Sequence, residues 1–148
     1  MQGKVVALYI TKDDEAKTKE LPKTITIDKN GIVGDKFYTK DAQRAVLITS
    51  IDSYELARSQ NIDLTAGSLG ENILVDINPY HLLPGERLTI GNTILEITQN
   101  CTLCKGLSTL NSKLPKLLKN DRGIFAKIVG ESSSIALNDT VVLKGKKV

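Results

Sequence analysis

The only two thiols of the chain stand three residues apart in Ile97-Thr98-Gln99-Asn100-Cys101-Thr102-Leu103-Cys104-Lys105-Gly106. The reactive form of cysteine is the thiolate, which must be reachable, and a Cys-x-x-Cys pair leaves three chemistries open. A zinc site needs about four ligands. With His81 the sole histidine, Asp or Glu would have to complete the shell. A dithiol redox pair, Cys101 with Cys104, is the second; thioredoxin-like pairs open a helix in a βαβ frame, whereas this chain reads mainly as strands. The third is one working thiolate, as nucleophile, sulfur carrier or metal ligand, with the other cysteine assisting or merely adjacent. Against all three stands the bland reading of two inert buried thiols, since free Cys packs as a small hydrophobe. Lys105 beside Cys104, and Arg44 and Arg122 beside apolar strands, would depress a thiolate pKa or hold a phosphate if folding gathers them.

The elements that must position these groups are mostly strands. Arg87 to Thr98 alternates apolar and polar residues about Gly91-Asn92, the pattern of a two-stranded hairpin, so the cysteines follow a rigid frame. Gly3 to Ile10, Thr24 to Ile27, Arg44 to Thr49, Asn72 to Val75, Ile124 to Val129 and Asn138 to Leu143 read as further strands. Ser50 to Glu55 carries an N-cap signal and predicts a short helix from about Asp52 to Ser59. Leu107, Leu110, Leu114, Leu117 and Leu118 recur at three or four residues, one helix face, interrupted or restarted near Pro115. Thr11 to Glu20 is charge-dense and apolar-poor, an exposed loop, and Gly130 to Ser134 reads as a polar turn. Gly31-Ile32-Val33-Gly34-Asp35-Lys36 implies a tightly bent or closely approached backbone, in which Asp35 either caps backbone N–H groups or serves a site. Glu71 and Asn72, after the glycines 67 and 70, stand at a strand entrance, a common place for a pocket mouth. Neither a P-loop nor a dinucleotide-binding glycine pattern is present there.

Composition narrows the class. A chain of 148 residues, 41% hydrophobic and 25% charged, is most simply one domain with its own core. No apolar run approaches the ~20 residues of a membrane span, and the first ten residues read as a strand rather than a signal peptide, so the expectation is a cytoplasmic protein without membrane partners. The net charge of +3 is dispersed apart from the terminal Lys144-Gly145-Lys146-Lys147, and 4% aromatic content offers few stacking platforms; nucleic acid is not an expected partner. Two cysteines in a reducing compartment need no structural disulfide.

Taken in order, Gly31-Ile32-Val33-Gly34-Asp35, Arg44-Ala45-Val46, Gly67-x-x-Gly70-Glu71-Asn72-Ile73, Leu83-Pro84-Gly85-Glu86, Ile90-Gly91, Cys101-x-x-Cys104, Arg122-Gly123-Ile124-Phe125-Ala126-Lys127 and Asn138-Asp139-Thr140-Val141 resemble the MOSC family, domains related to the C-terminal part of molybdenum cofactor sulfurase. The resemblance implies a mainly β fold, a closed or nearly closed β-barrel of the pyruvate kinase β-barrel-like kind with a few peripheral helices, in a single MOSC domain over residues 1–148. It implies a cysteine that carries sulfur as a persulfide or ligates molybdenum. In members with Cys-x-x-Cys at this point, such as the mitochondrial amidoxime-reducing components, the second cysteine is the metal ligand, which maps onto Cys104, with Cys101 the second choice. Asp35, Arg44, Glu71 and Asn72 match recurrent polar positions and would shape the pocket, while basic groups such as Lys105 and Arg122 would pair with the phosphate of molybdenum cofactor (molybdopterin). The expected function is binding that cofactor or carrying sulfur for it. The alternatives are a molybdenum-dependent reductase of N-hydroxylated compounds, a non-catalytic partner module in cofactor metabolism, and a dithiol redox protein. Many members have His two residues after the Gly-Asp pair, where this chain has Phe37. No segment resembles a pyridoxal phosphate domain, so sulfur would come from a separate cysteine desulfurase-like partner. The expected assembly is a monomer or homodimer.

Overall fold

The computed structural model describes residues 2–16, 18–101 and 106–145. Seven strands form a closed barrel in the order β1 (Gln2–Leu8), β12 (Thr140–Gly145), β8 (Arg87–Ile90), β9 (Thr93–Asn100), β10 (Ile124–Ile128), β6 (Val46–Ser50) and β7 (Ile73–Val75). A mainly β, barrel-forming chain is thus what folds. All neighbours are antiparallel except β6 and β7, where Ile48 pairs with Ile73; their parallel connection runs through helix α1 (Ile51–Ser59) and the loop that follows. A parallel neighbour requires such a crossover.

Alternation explains which residues fill the barrel. On β8 and β9, Leu88, Ile90, Leu95 and Ile97 point inward and are buried, meeting Val5, Ile48, Ile73, Ile124 and Val141 in one apolar core. The hairpin turns where the sequence requires it, with Ile90 paired to Thr93 across Gly91-Asn92. β6 is buried along its whole length, as a strand covered on both faces must be. A second apolar cluster lies outside the barrel under α1 and two one-turn helices, α2 (Leu107–Leu110) and α3 (Leu114–Leu117), and joins Tyr54, Ala57, Leu69, Leu107, Leu114 and Leu118. The start of α1 is fixed by Ser50, whose side chain accepts from the Asp52 N–H at 3.1 Å.

The leucine-rich stretch is two short helices, restarted near Pro115 as the sequence predicts: the chain breaks at Asn111, whose backbone is extended, and α3 carries Pro115 in its first turn. The break rotates the face, so Leu110 is exposed while Leu107, Leu114 and Leu118 are buried. Ser132–Ala136, expected as a turn in part, is strand β11; it pairs with β4 (Thr24–Asp28), which also pairs with β5 (Gly31–Ile32) in a three-stranded sheet. The exposed loop after β1 contains a small hairpin of β2 (Ile10–Thr11) and β3 (Lys19–Glu20).

Candidate functional site

β9 delivers Cys101 to the wall of a cavity of about 810 Å³ that opens between the barrel, the β2–β3 hairpin and the 33–45 loop. This is the size of a small-molecule site. The backbone N–H of Cys101 donates to the Gly123 carbonyl at 2.9 Å, and its side chain is 2% exposed, packed with Leu47 and Phe125. Together these three make an apolar floor. Above it the lining is basic: Lys19, Lys36, Lys40, Arg44 and Arg122 against the carboxylates Asp35 and Asp41. Five cations to two anions favour a negatively charged ligand, the more so because both carboxylates already accept backbone N–H groups.

Asp35 joins the two readings the sequence left open. It lines the cavity, yet its oxygens accept from the N–H groups of Thr11 (2.9 Å) and Phe37 (3.1 Å) and from Asn72 Nδ2 (3.2 Å). Asn72 is equally committed: its Oδ1 accepts from Leu47 N–H at 3.0 Å and its Nδ2 also reaches the Tyr9 carbonyl at 3.3 Å. These side chains tie the segment between β1 and β2, β6 and the entrance of β7 to the 33–45 loop. They hold the wall together.

Glu71 is brought to the same region but not to the cavity surface; it is 1% exposed behind it. Its carboxylate accepts from the Tyr54 hydroxyl at 2.7 and 2.9 Å and from the Gly67 N–H at 3.3 Å. Burial raises the Glu71 pKa despite those donors, and burial, followed by the Glu71 charge, drives the Tyr54 hydroxyl far above the usual phenol value. Tyr54 in turn accepts from the N–H groups of Gly67 (2.9 Å) and Leu69 (3.3 Å), which fixes the glycine loop. The carbonyls of that loop then orient two cavity cations: Gly67 O accepts from Lys19 Nζ, and Leu69 O from Arg122 Nη2 at 3.0 Å. Gly67 has φ +92° and a Cβ there would stand 2.9 Å from the Tyr9 ring, so only glycine fits.

Of the other sequence candidates, Arg44 is exposed at the rim and Arg122 lines the wall. Cys104 and Lys105 lie outside the described residues. His81 is exposed and away from the cavity lining, and among the described residues no group of three or more His, Cys, Asp or Glu could hold a metal ion. Sequence reasoning missed Lys19, Lys36, Lys40 and Phe37 as lining residues. The one available signal was the charge density of residues 11–20 and 36–44 beside the Gly-Asp turn.

A barrel whose last hairpin feeds a cysteine into a basic cavity defines the structural class. The chain belongs to the MOSC domain family, whose model matches residues 14–142. Among solved structures, it is similar to the YuaD protein from Bacillus subtilis, with 18% identity, TM-score 0.76, and 95% of this chain and 94% of that one covered. It is also similar to YiiM from Escherichia coli (17% identity, TM-score 0.73, 99% and 71% covered) and YiiM from Geobacillus stearothermophilus (15%, 0.69, 95% and 74%). At such identities the likeness concerns the fold. No curated protein matches the sequence. Among the described residues, no helix is long and apolar enough to cross a membrane.

Proposed function

We propose that this MOSC-domain protein binds molybdenum cofactor in the cavity beside Cys101 or carries sulfur for it, with Cys104 as the working thiol. The observation that carries the reading is the division of the cavity into a thiol-bearing apolar floor and a cationic rim. The basic lining fits a phosphate-bearing pterin: Arg44, Lys36 and Lys40 would pair with the phosphate, and the Cys104 thiolate would be the ligand to the metal. When bound, the cofactor supplies a molybdenum centre able to change oxidation state, as reduction of N-hydroxylated compounds requires. Leu47, Phe125 and Cys101 exclude water from the inner end, and Arg122, held on Leu69 O, keeps a positive charge at the wall. Cys101, at 2% exposure, suits a packing role in that floor better than sulfur exchange, which needs access. In the carrier role, the Cys104 thiolate attacks the terminal sulfur of a desulfurase persulfide. A new S–S bond forms on Cys104, the donor's S–S bond breaks, and the donor cysteine leaves as thiolate.

The test is metal analysis with intact-mass spectrometry on protein made in a host that produces molybdenum cofactor and purified without reductant. Molybdenum lost in Cys104→Ser but kept in Cys101→Ser supports the cofactor-binding role. A mass gain of one sulfur on Cys104 without metal supports the carrier. If neither appears and Cys104→Ser still complements a knockout, both chemical roles fall and a non-catalytic partner module remains. A Cys101–Cys104 disulfide formed under mild oxidation in place of either would identify a dithiol redox protein.

A further inference from the structure

The chain has two phenylalanines, and both line this cavity. They stand at different depths. Phe125 is buried against Leu47 and Cys101, whereas Phe37 is 47% exposed. Scattered exposed apolar side chains are ordinary; Phe37 is set apart by its mounting. Its N–H donates to Asp35 Oδ2 at 3.1 Å and its carbonyl accepts from the Lys40 N–H at 3.0 Å. Asp35 is itself anchored by Thr11 and Asn72. The backbone that carries the ring is therefore fixed from both sides. Lys36 Nζ lies 4.9 Å from the ring centroid, within cation–π range, so an aromatic surface and a cation are presented together, with Lys40 and Arg44 also on the lining.

We propose that Phe37 is the specificity-determining residue of the cavity, selecting among phosphate-bearing ligands those that also carry a planar heteroaromatic ring. This rests on the reading of the cavity as an anion site and adds the residue that recognises the ring of the ligand. Cations alone hold any phosphate; a ring on a rigid mount beside them rewards a ligand whose heterocycle can stack while its phosphate is paired. Stacking on a protein aromatic is tolerant of the identity of the heterocycle and multiplies affinity by about five- to 150-fold. The Phe37 ring is wholly apolar and cannot ionise, so it offers a stacking face rather than a proton.

The experiment is calorimetric titration of wild type, Phe37→Leu and Phe37→Tyr with two probes, inorganic pyrophosphate and guanosine diphosphate. Wild type and Phe37→Tyr are expected to bind guanosine diphosphate at least about fivefold more tightly than pyrophosphate. Phe37→Leu should lose that margin while its pyrophosphate affinity stays within about twofold of wild type. A margin that survives in Phe37→Leu, or is absent in wild type, overturns the role of Phe37; pyrophosphate binding that is weakened by Arg44→Ala would then leave the anion site standing. Binding of neither probe takes down the anion-site reading and this one with it.

Discussion

Asp35, Glu71 and Asn72 are buried with their polar atoms engaged by the chain's own backbone and by Tyr54, whereas Lys36, Arg44 and Phe37 stand at the cavity rim. Arg44 makes no side-chain hydrogen bond or ion pair among the described residues. The two regions are built under opposite rules. Inside, every polar atom removed leaves a stranded partner, so the side chains are fixed by stability. At the rim, side chains are hydrated in the absence of ligand, and their identity matters to what enters. Polar residues near a cavity thus divide into those that shape it and those that address its contents.

That division can be broken or sharpened by substitution. The largest loss of stability is expected from Asn72→Ala, which strands the Leu47 N–H and removes a donor from Asp35; about 3 kcal/mol should be lost in urea unfolding. A change below about 1 kcal/mol would mean the buried lattice is not what holds the wall. Tyr54→Phe should cost about 2 kcal/mol, because the Glu71 carboxylate and the N–H groups of Gly67 and Leu69 lose a common partner. It should also weaken pyrophosphate binding a few-fold, since the loop that orients Lys19 and Arg122 loosens.

Glu71→Gln tests the same lattice through pH. The Glu71 pKa is raised in the folded protein by burial, so above the ordinary carboxylate value the unfolded chain holds fewer protons than the folded one. Stability attributable to this group is then highest in acid and falls as pH rises from the unfolded value toward the folded one. The neutral amide has no such dependence. Relative to wild type, Glu71→Gln should therefore gain stability as pH rises through that window, measured by unfolding at pH 4, 6 and 8; a constant difference would show that Glu71 titrates normally. The smallest effect on stability belongs to the rim. Arg44→Ala should leave the melting temperature within about 2 °C while weakening pyrophosphate binding severalfold, and a melting shift as large as that of Asn72→Ala would erase the distinction between the regions.

The strands of the barrel were legible because their interiors demand alternation: Leu88, Ile90, Leu95 and Ile97 mark one face without reference to anything distant. β11 was not, because Ser132, Ser133 and Ser134 carry the composition of a turn. They are held as a strand by the backbone ladder to β4, more than 100 residues away, and by Thr93 Oγ1 on Ser133 Oγ, 40 residues away. The site divides in the same manner. Cys101, Asp35, Asn72, Arg44 and Arg122 were singled out one by one, from their local context and the family resemblance, and all five line one cavity; their proximity itself was not readable. The burial of Glu71 was not readable, since it depends on Tyr54 reaching across from α1. Nor were the lysines, which occur singly at positions 19, 36 and 40 and acquire a common purpose only when the β2–β3 hairpin and the 33–45 loop face each other.

The seam of the barrel lies between its first and last strands, where Gln2 pairs with Val142 and Lys4 with Thr140. About 140 residues of chain separate these partners, so a ribosome delivers them about 7 to 30 s apart at ordinary elongation rates. Until β12 emerges, β1 and β8 each lack a neighbour, so the nascent chain carries two open strand edges that can pair with other chains. Closure also joins the residues most distant in sequence, the kind of contact that slows folding. For this molecule the vulnerable interval is birth rather than service, and a chaperone that covers strand edges would be worth more to its yield than any single added contact in its core.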